Sequence, residues 1–445
     1  MWLTLAIYSL LTTSYVFAAP QPGATRDIDL LMPKVKPQQP DTYLCKAMQV
    51  EDAHMYIRGY IPKADSAIAH HILLYGCSVP GAPPGEVWDC GEMSVTSSSY
   101  KHGAICQEGS SILYAWAMEA PRLNLPEDVS FEVGQDTPIK YLVLQVHYKN
   151  VTKFLSPQNG DDSSGLTLQA THVPTTKQAG VYLMLTDGYI PAHTVEYFES
   201  ACNMEEDIEI VPFAFRTHAH TLGRVISGYR IRGGKWTEIG RKDPRLPEMF
   251  YNVTNPGITV RRGDILAVRC TMENTLDHDV AIGPTQNDEM CNLYIMYYVN
   301  QPPILKDQTC ASMGPPRWYW QDFSDQTRLN LKAAPDTISV IPGKQKPLIR
   351  NVTDVNEDKD ADVMVGVPGR SEDITDEDIV DEAIREMSPE ELLSVMHQLA
   401  SVETDENARN QMWQELERQR NENVDSEYRS RLNYIPDYTN VVYEK

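Results

Sequence analysis

The sequence predicts an all-β body of two antiparallel, jelly-roll-like β-sandwich domains in tandem, followed by an acidic tail that is disordered with short helices. Three observations carry this reading. First, from Asp41 to about Pro335 the chain is built of short runs rich in Val, Ile, Leu and Tyr, bounded by Gly, Pro, Asn and Asp, with few apolar stripes at helical spacing. Second, the eight cysteines fall four and four on either side of a long gap between Cys106 and Cys202. Third, the charge is lopsided: residues 351–445 hold 25 acids and 9 bases, so most of the net charge of −23 lies there.

Taken in order, residues 1–18 read as a secretory signal peptide. An apolar stretch from Trp2 to Leu11 is followed by small residues, with Val16 and Ala18 at the −3 and −1 positions of a cleavage site. The stretch is too short, and too broken by Thr12, Thr13 and Ser14, for a membrane anchor of about 20 apolar residues. No later run is long enough either, so no transmembrane anchor is expected. The product belongs in the secretory-granule lumen or outside the cell.

Residues 19–40 carry five prolines and form an extended segment. The first sandwich covers 41–172, with strands such as His70–Tyr75 and Tyr141–Tyr148. Val173-Pro174-Thr175-Thr176 opens the second, 173–335, with strands near Gly180–Leu185, Ile208–His220, Arg224–Arg232, Asp264–Thr271 and Asn292–Val299. The acidic tail is 336–445. Within it, Ser388-Pro389-Glu390-Glu391 is a helix-capping pattern ahead of Leu392, Val395, Met396 and Leu399, and Asn407–Asn421 is a second helical stretch. The full length of 445 residues suits about three domains. The acidic balance excludes non-specific nucleic-acid binding, which needs a Lys/Arg excess.

An even number of cysteines behind a signal peptide reads as disulfides: Cys45, Cys77, Cys90, Cys106, Cys202, Cys270, Cys291 and Cys310. Spacing alone leaves 105 pairings open. Asn150, Asn252 and Asn351 head glycosylation triplets.

The histidines carry the chemistry. His218-Ala219-His220 places two imidazoles on one face of a strand, and Arg216 two residues earlier shares that face. An isolated pair of this kind is more often hydrogen-bonded than metal-binding. In Met290-Cys291-Asn292-Leu293-Tyr294, alternation puts Met290, Asn292 and Tyr294 on one face, and turns Cys291 and Leu293 toward a core or a disulfide. Two imidazoles with a thioether form a soft set that favours copper, above all Cu(I). His70 and His71 are adjacent, so both reach one ion only at a strand end or bulge. With His147 they make an all-imidazole site for copper or zinc.

Four blocks together resemble the ascorbate-dependent type II copper monooxygenases, most of all their peptidylglycine alpha-hydroxylating members. They are His70-His71-Ile72-Leu73-Leu74-Tyr75-Gly76-Cys77, Gln145-Val146-His147-Tyr148, His218-Ala219-His220-Thr221-Leu222-Gly223 and Asp288-Glu289-Met290-Cys291-Asn292-Leu293-Tyr294. Asp41–Cys45, Ile112–Ala117 and Gly228-Tyr229-Arg230 also fit, so the likeness spans about Ile28 to Cys310.

The resemblance implies two copper ions facing each other across an open, solvated cleft. The electron-storing ion is held by His70, His71 and His147, and the oxygen-activating ion by His218, His220 and Met290. It implies that Arg216, Asn292 and Tyr294 hold the terminal carboxylate of a peptide. It also implies the pairs Cys45–Cys90, Cys77–Cys106, Cys202–Cys310 and Cys270–Cys291.

The activity implied is hydroxylation of the α carbon of the C-terminal glycine of glycine-extended peptides, with ascorbate as reductant and O2 as co-substrate. That is the first step of peptide amidation. The lyase step is expected from a separate peptidyl-hydroxyglycine lyase, because the tail is too short and polar to supply one. The sequence departs from the family in a longer Gly91–Ile105 loop, in lacking a fifth bridge, at Ala219 and Thr221, and in the acidic tail. Two alternatives stand beside this reading: a catecholamine-type copper hydroxylase, and a non-catalytic secreted copper- or peptide-binding protein.

Overall fold

The computed structural model describes residues 25–91, 99–285 and 287–350. The expected signal peptide, the sequon at Asn351 and the helices of the tail lie outside the described residues. Those that are described form an all-β structure whose one α-helix is the single turn Gln326–Leu329.

In the first half a five-stranded antiparallel sheet runs in the order Val87–Asp89, Thr42–Gln49, Tyr141–Tyr148, His71–Cys77, Ser111–Ala117. Strand Tyr141–Tyr148 shows why it forms. Leu142, Leu144, Val146 and Tyr148 enter the sandwich core, while Val143 packs on the opposite face, so alternation carries Gln145 and His147 to that face as well. Each fully buried Leu or Val contributes roughly 1.5–3 kcal/mol. The facing layer is the first part of a ten-stranded sheet, with Arg26–Leu31, Gly165–Thr171, Met55–Lys63 and Val129–Val133 in that order.

That sheet does not stop at the expected boundary near 172. Val129–Val133 pairs in parallel with Lys177–Thr186, and the order continues through Asn292–Val299, Val211–His218 and Tyr251–Asn252. A four-stranded sheet, Val195–Asn203, Ile265–Glu273, Gly223–Arg232, Lys235–Lys242, closes the second sandwich. Leu293 lies at 0% exposure in this second core. It reaches there because Gly228 carries no side chain: a Cβ at that position would stand 2.2 Å from Leu293 Cδ2.

The chain beyond the second sandwich remains docked past the expected tail start at 336. Trp320, Phe323, Leu329 and Ile338 cover Tyr229, Ile231, Trp236 and Ala267 on the outer face of the four-stranded sheet. Ile338 and Val340 carbonyls accept from Ser227 and Arg241, and Arg350 pairs with Glu196. Apolar residues spaced along an irregular strap carry no period, so this docking left no signal in the sequence.

The four disulfides are Cys45–Cys90, Cys77–Cys106, Cys202–Cys310 and Cys270–Cys291, and no cysteine is free. Cys270–Cys291 ties the four-stranded sheet to the chain immediately before Asn292–Val299. The denatured, unreduced protein is therefore expected to show no thiol by Ellman titration. Two or more reactive thiols per chain would overturn this framework, and reducing any one bridge is expected to cost about 2–5 kcal/mol.

Candidate metal centres and the cavity between them

Tyr43, His147 and His71 stand side by side on three neighbouring strands, each opposite the next in register. The period of two puts all three on the face away from the first core. His70 immediately precedes the strand His71–Cys77, and its N–H donates to the His147 carbonyl at 2.8 Å. This is the strand end that two adjacent histidines need in order to converge. His70 Nδ1 lies 3.2 Å and His71 Nδ1 3.4 Å from His147 Nδ1. One ligand nitrogen from each of the three falls within 4.8 Å of the others.

Burial pushes His70 down to about 3, with His147 adding to the effect, and lowers His71 for the same reasons. His147 is lowered too, burial outweighing its contact with Asp41. Neutral imidazole is the metal-binding form. His147 Nε2 donates to Asp41 Oδ1 at 3.1 Å, which leaves the Nδ1 lone pair facing inward. The Tyr43 ring stacks on His147 at 4.0 Å and holds its plane.

The second cluster also forms at strand ends. Val211–His218 ends at His218, so His220 lies just past the strand, and Met290 lies two residues before Asn292–Val299. The alternation argument therefore applies directly to Arg216 and His218, whose partners across the ladder are Tyr294 and Asn292. His220 and Met290 are placed by hydrogen bonds instead. The Glu289 carboxylate accepts from the backbone N–H of His220, of Leu222 at 2.6 Å and of Met290 at 2.8 Å. One buried side chain thus ties the histidine loop to the methionine loop.

His220 Nδ1 donates to the Asp288 carbonyl at 2.8 Å, and His218 Nδ1 to Glu248 Oε2 at 2.8 Å. Both Nε2 atoms are left as acceptors. Burial, then the neighbouring His218, pushes His220 down to about 4. Asn292 Nδ2 lies 3.8 Å from the Met290 sulfur.

His71, Arg216, His218, Met290, Asn292 and Tyr294 line one cavity of about 190 Å³, room for roughly six waters at ~30 Å³ each. The two faces that carry these residues approach closely. The His71 and His218 rings are 6.2 Å apart, Arg216 is 2% exposed, and Tyr43 Oη donates across the gap to the Pro284 carbonyl at 3.0 Å. Each cluster sits on an inward-facing sheet surface, so the two apolar-rimmed faces close on each other. The Arg216 guanidinium is already partnered by Glu248 and lies 5.1 Å from the Tyr294 ring.

Sequence reasoning assigned no role to Asp41, Glu248 or Glu289. Asp41 and Glu289 stood inside matched blocks. Glu248 offered only an acid in the run Leu246-Pro247-Glu248-Met249-Phe250.

Residues 28–155 match the N-terminal domain, and residues 177–323 the C-terminal domain, of the copper type II ascorbate-dependent monooxygenases. The chain belongs to that family. It is 38% identical over 312 residues to peptidyl-glycine alpha-amidating monooxygenase A of Xenopus laevis, covering 69% of this chain and 32% of that one. It is 40% identical over 288 residues to the Mus musculus peptidyl-glycine alpha-amidating monooxygenase, covering 64% and 28%. Dopamine beta-hydroxylase of Bos taurus is 26% identical over 331 residues, covering 69% and 52%. The chain spans about a third of the length of the amidating relatives.

As a member of this monooxygenase family the chain uses copper and ascorbate. The donors fit copper: three converging imidazole nitrogens at one cluster, two imidazoles and a thioether at the other. The four disulfides belong to an oxidising compartment. No helix among the described residues is long and apolar enough to cross a membrane. Asn150 and Asn252 are both exposed.

Proposed function

We propose that this chain hydroxylates the α carbon of the C-terminal glycine of glycine-extended peptides in the secretory lumen. Overall, O2, two electrons from ascorbate and two protons convert the glycine C–H to C–OH and release one water. A separate peptidyl-hydroxyglycine lyase then cleaves the hydroxyglycine to free the amide.

The observation that carries this reading is the shared cavity. A guanidinium, an amide and a phenol (Arg216, Asn292 and Tyr294) line the same space as His218 and Met290. In this assignment His70, His71 and His147 hold one copper, and His218, His220 and Met290 the other. Copper, when bound, supplies one-electron transfer and the activation of O2.

The protein supplies position. Arg216 donates charge-assisted hydrogen bonds to the peptide carboxylate, and Asn292 and Tyr294 complete its cradle. That fixes the adjacent α carbon beside the His218 and Met290 face. Glu289 and Glu248 keep the ligand side chains aimed. The apolar side chains lining the cavity lower the local dielectric, which strengthens the charge-assisted bonds within.

Ascorbate-dependent O2 consumption by the copper-loaded chain tests this. A glycine-extended peptide is expected to be hydroxylated, in preference to its amide-capped form and to a phenethylamine. Turnover of the phenethylamine alone would transfer the chain to the catecholamine type. Turnover of none would leave a binding protein.

A further inference from the structure

A carboxylate is already resident at the proposed carboxylate clamp. Glu248, 5% exposed, lies between the strands Lys235–Lys242 and Tyr251–Asn252. Its Oε2 accepts from Arg216 Nη2 and from His218 Nδ1, and its backbone carbonyl accepts from Arg216 Nε at 3.3 Å. The edge of the guanidinium formed by Nε and Nη2 is therefore taken. A substrate carboxylate must use the remaining donors, and meets a cation whose charge is already balanced.

We infer that Glu248 is a positioning and specificity-setting residue. Through one oxygen it holds the Arg216 fork and the His218 ring together, and by neutralising Arg216 it weakens the site's preference for a free carboxylate over an amide. The inference rests on the reading of Arg216 as the substrate clamp. Glu248 joins two roles that are separable by substitution. Glutamine keeps an oxygen that accepts from His218 Nδ1–H but removes the charge. Alanine removes both.

The test is calorimetric binding of two probes, a tripeptide ending in glycine and the same tripeptide ending in glycinamide, to the copper-loaded full chain. An unneutralised guanidinium clamp discriminates about 10- to 150-fold between the two. The wild type is expected to discriminate less than tenfold. Glu248→Gln is expected to bind the free acid at least fivefold more tightly, because a like charge has left its neighbourhood, and the amide within twofold of wild type. Its KM for the free acid should fall while copper content stays unchanged. Glu248→Ala is expected to weaken copper binding at the second cluster about 10- to 100-fold, as loss of a partner to a ligating histidine does.

The inference is overturned if the wild type discriminates by a hundredfold or more, a result that needs no variant to fold. It is also overturned if Glu248→Gln, with copper intact, binds the free acid no more tightly. A wild type that binds but does not turn over the glycine peptide sinks the proposed function and leaves this inference to the binding ratio. If neither wild type nor Glu248→Gln binds either probe, both fail.

Discussion

Met290→Ile is expected to cut hydroxylation by about a hundredfold or more while the fold and the first cluster stay intact. Isoleucine matches methionine closely in volume, so repacking should cost under about 1.5 kcal/mol. The backbone N–H of residue 290 still donates to Glu289, so the loop keeps its place. What is lost is the thioether that lines the cavity alongside His218. A thioether favours the reduced ion over the oxidised one, so its removal should fall on oxygen chemistry rather than on peptide binding. Copper analysis should still find the ion assigned to His70, His71 and His147, and the thermal midpoint should shift little. Near-normal turnover by this variant would refute the assignment of Met290.

Arg216→Gln should raise the KM for glycine-extended peptides by roughly 100-fold, near the upper end of what a charge-assisted hydrogen bond supplies. The reason for the upper end is Glu248. Without the guanidinium, the Glu248 carboxylate beside it is left unbalanced, so an attraction gives way to a repulsion. Arg216→Lys keeps the charge and loses the planar fork, and should fall between the two. Because the clamp also sets the position of the α carbon, kcat should fall as well. Copper content should not change, since Arg216 is not among the proposed ligands. Wild-type kinetics in Arg216→Gln would place the clamp elsewhere and remove the main residue-level support for a peptide substrate.

The fold class was readable because a half-buried strand advertises itself locally. In Tyr141–Tyr148 the period of two separates core-facing Leu142, Leu144 and Val146 from His147 without reference to any other strand. The same period put Arg216 and His218 on one face of their strand, and Asn292 and Tyr294 on one face of theirs; the two strands pair side by side. That period does not extend to His220 and Met290, which lie just beyond their strands. There the backbone leaves the pleat, and hydrogen bonds to Glu289 take over the placement. The family blocks span loops as well as strands, and so include these positions.

Residue chemistry along the chain established which donors were available: six soft or borderline candidate donors, a guanidinium on the same face as two of them, and eight cysteines suited to an oxidising compartment. None of this required knowing how the strands meet. The tertiary structure decided everything that depends on a single contact between distant residues. Asp41 reaches His147 across 106 positions, Glu248 reaches Arg216 across 32, and Tyr43 reaches Pro284 across 241. Periodicity is a property of many residues repeating a burial pattern, so it survives in the sequence. A lone buried carboxylate or a single cross-cleft hydroxyl repeats nothing. Its partner is chosen only when distant elements meet, and so the Glu248 contact with Arg216 and the cavity shared by the two faces became visible only in three dimensions.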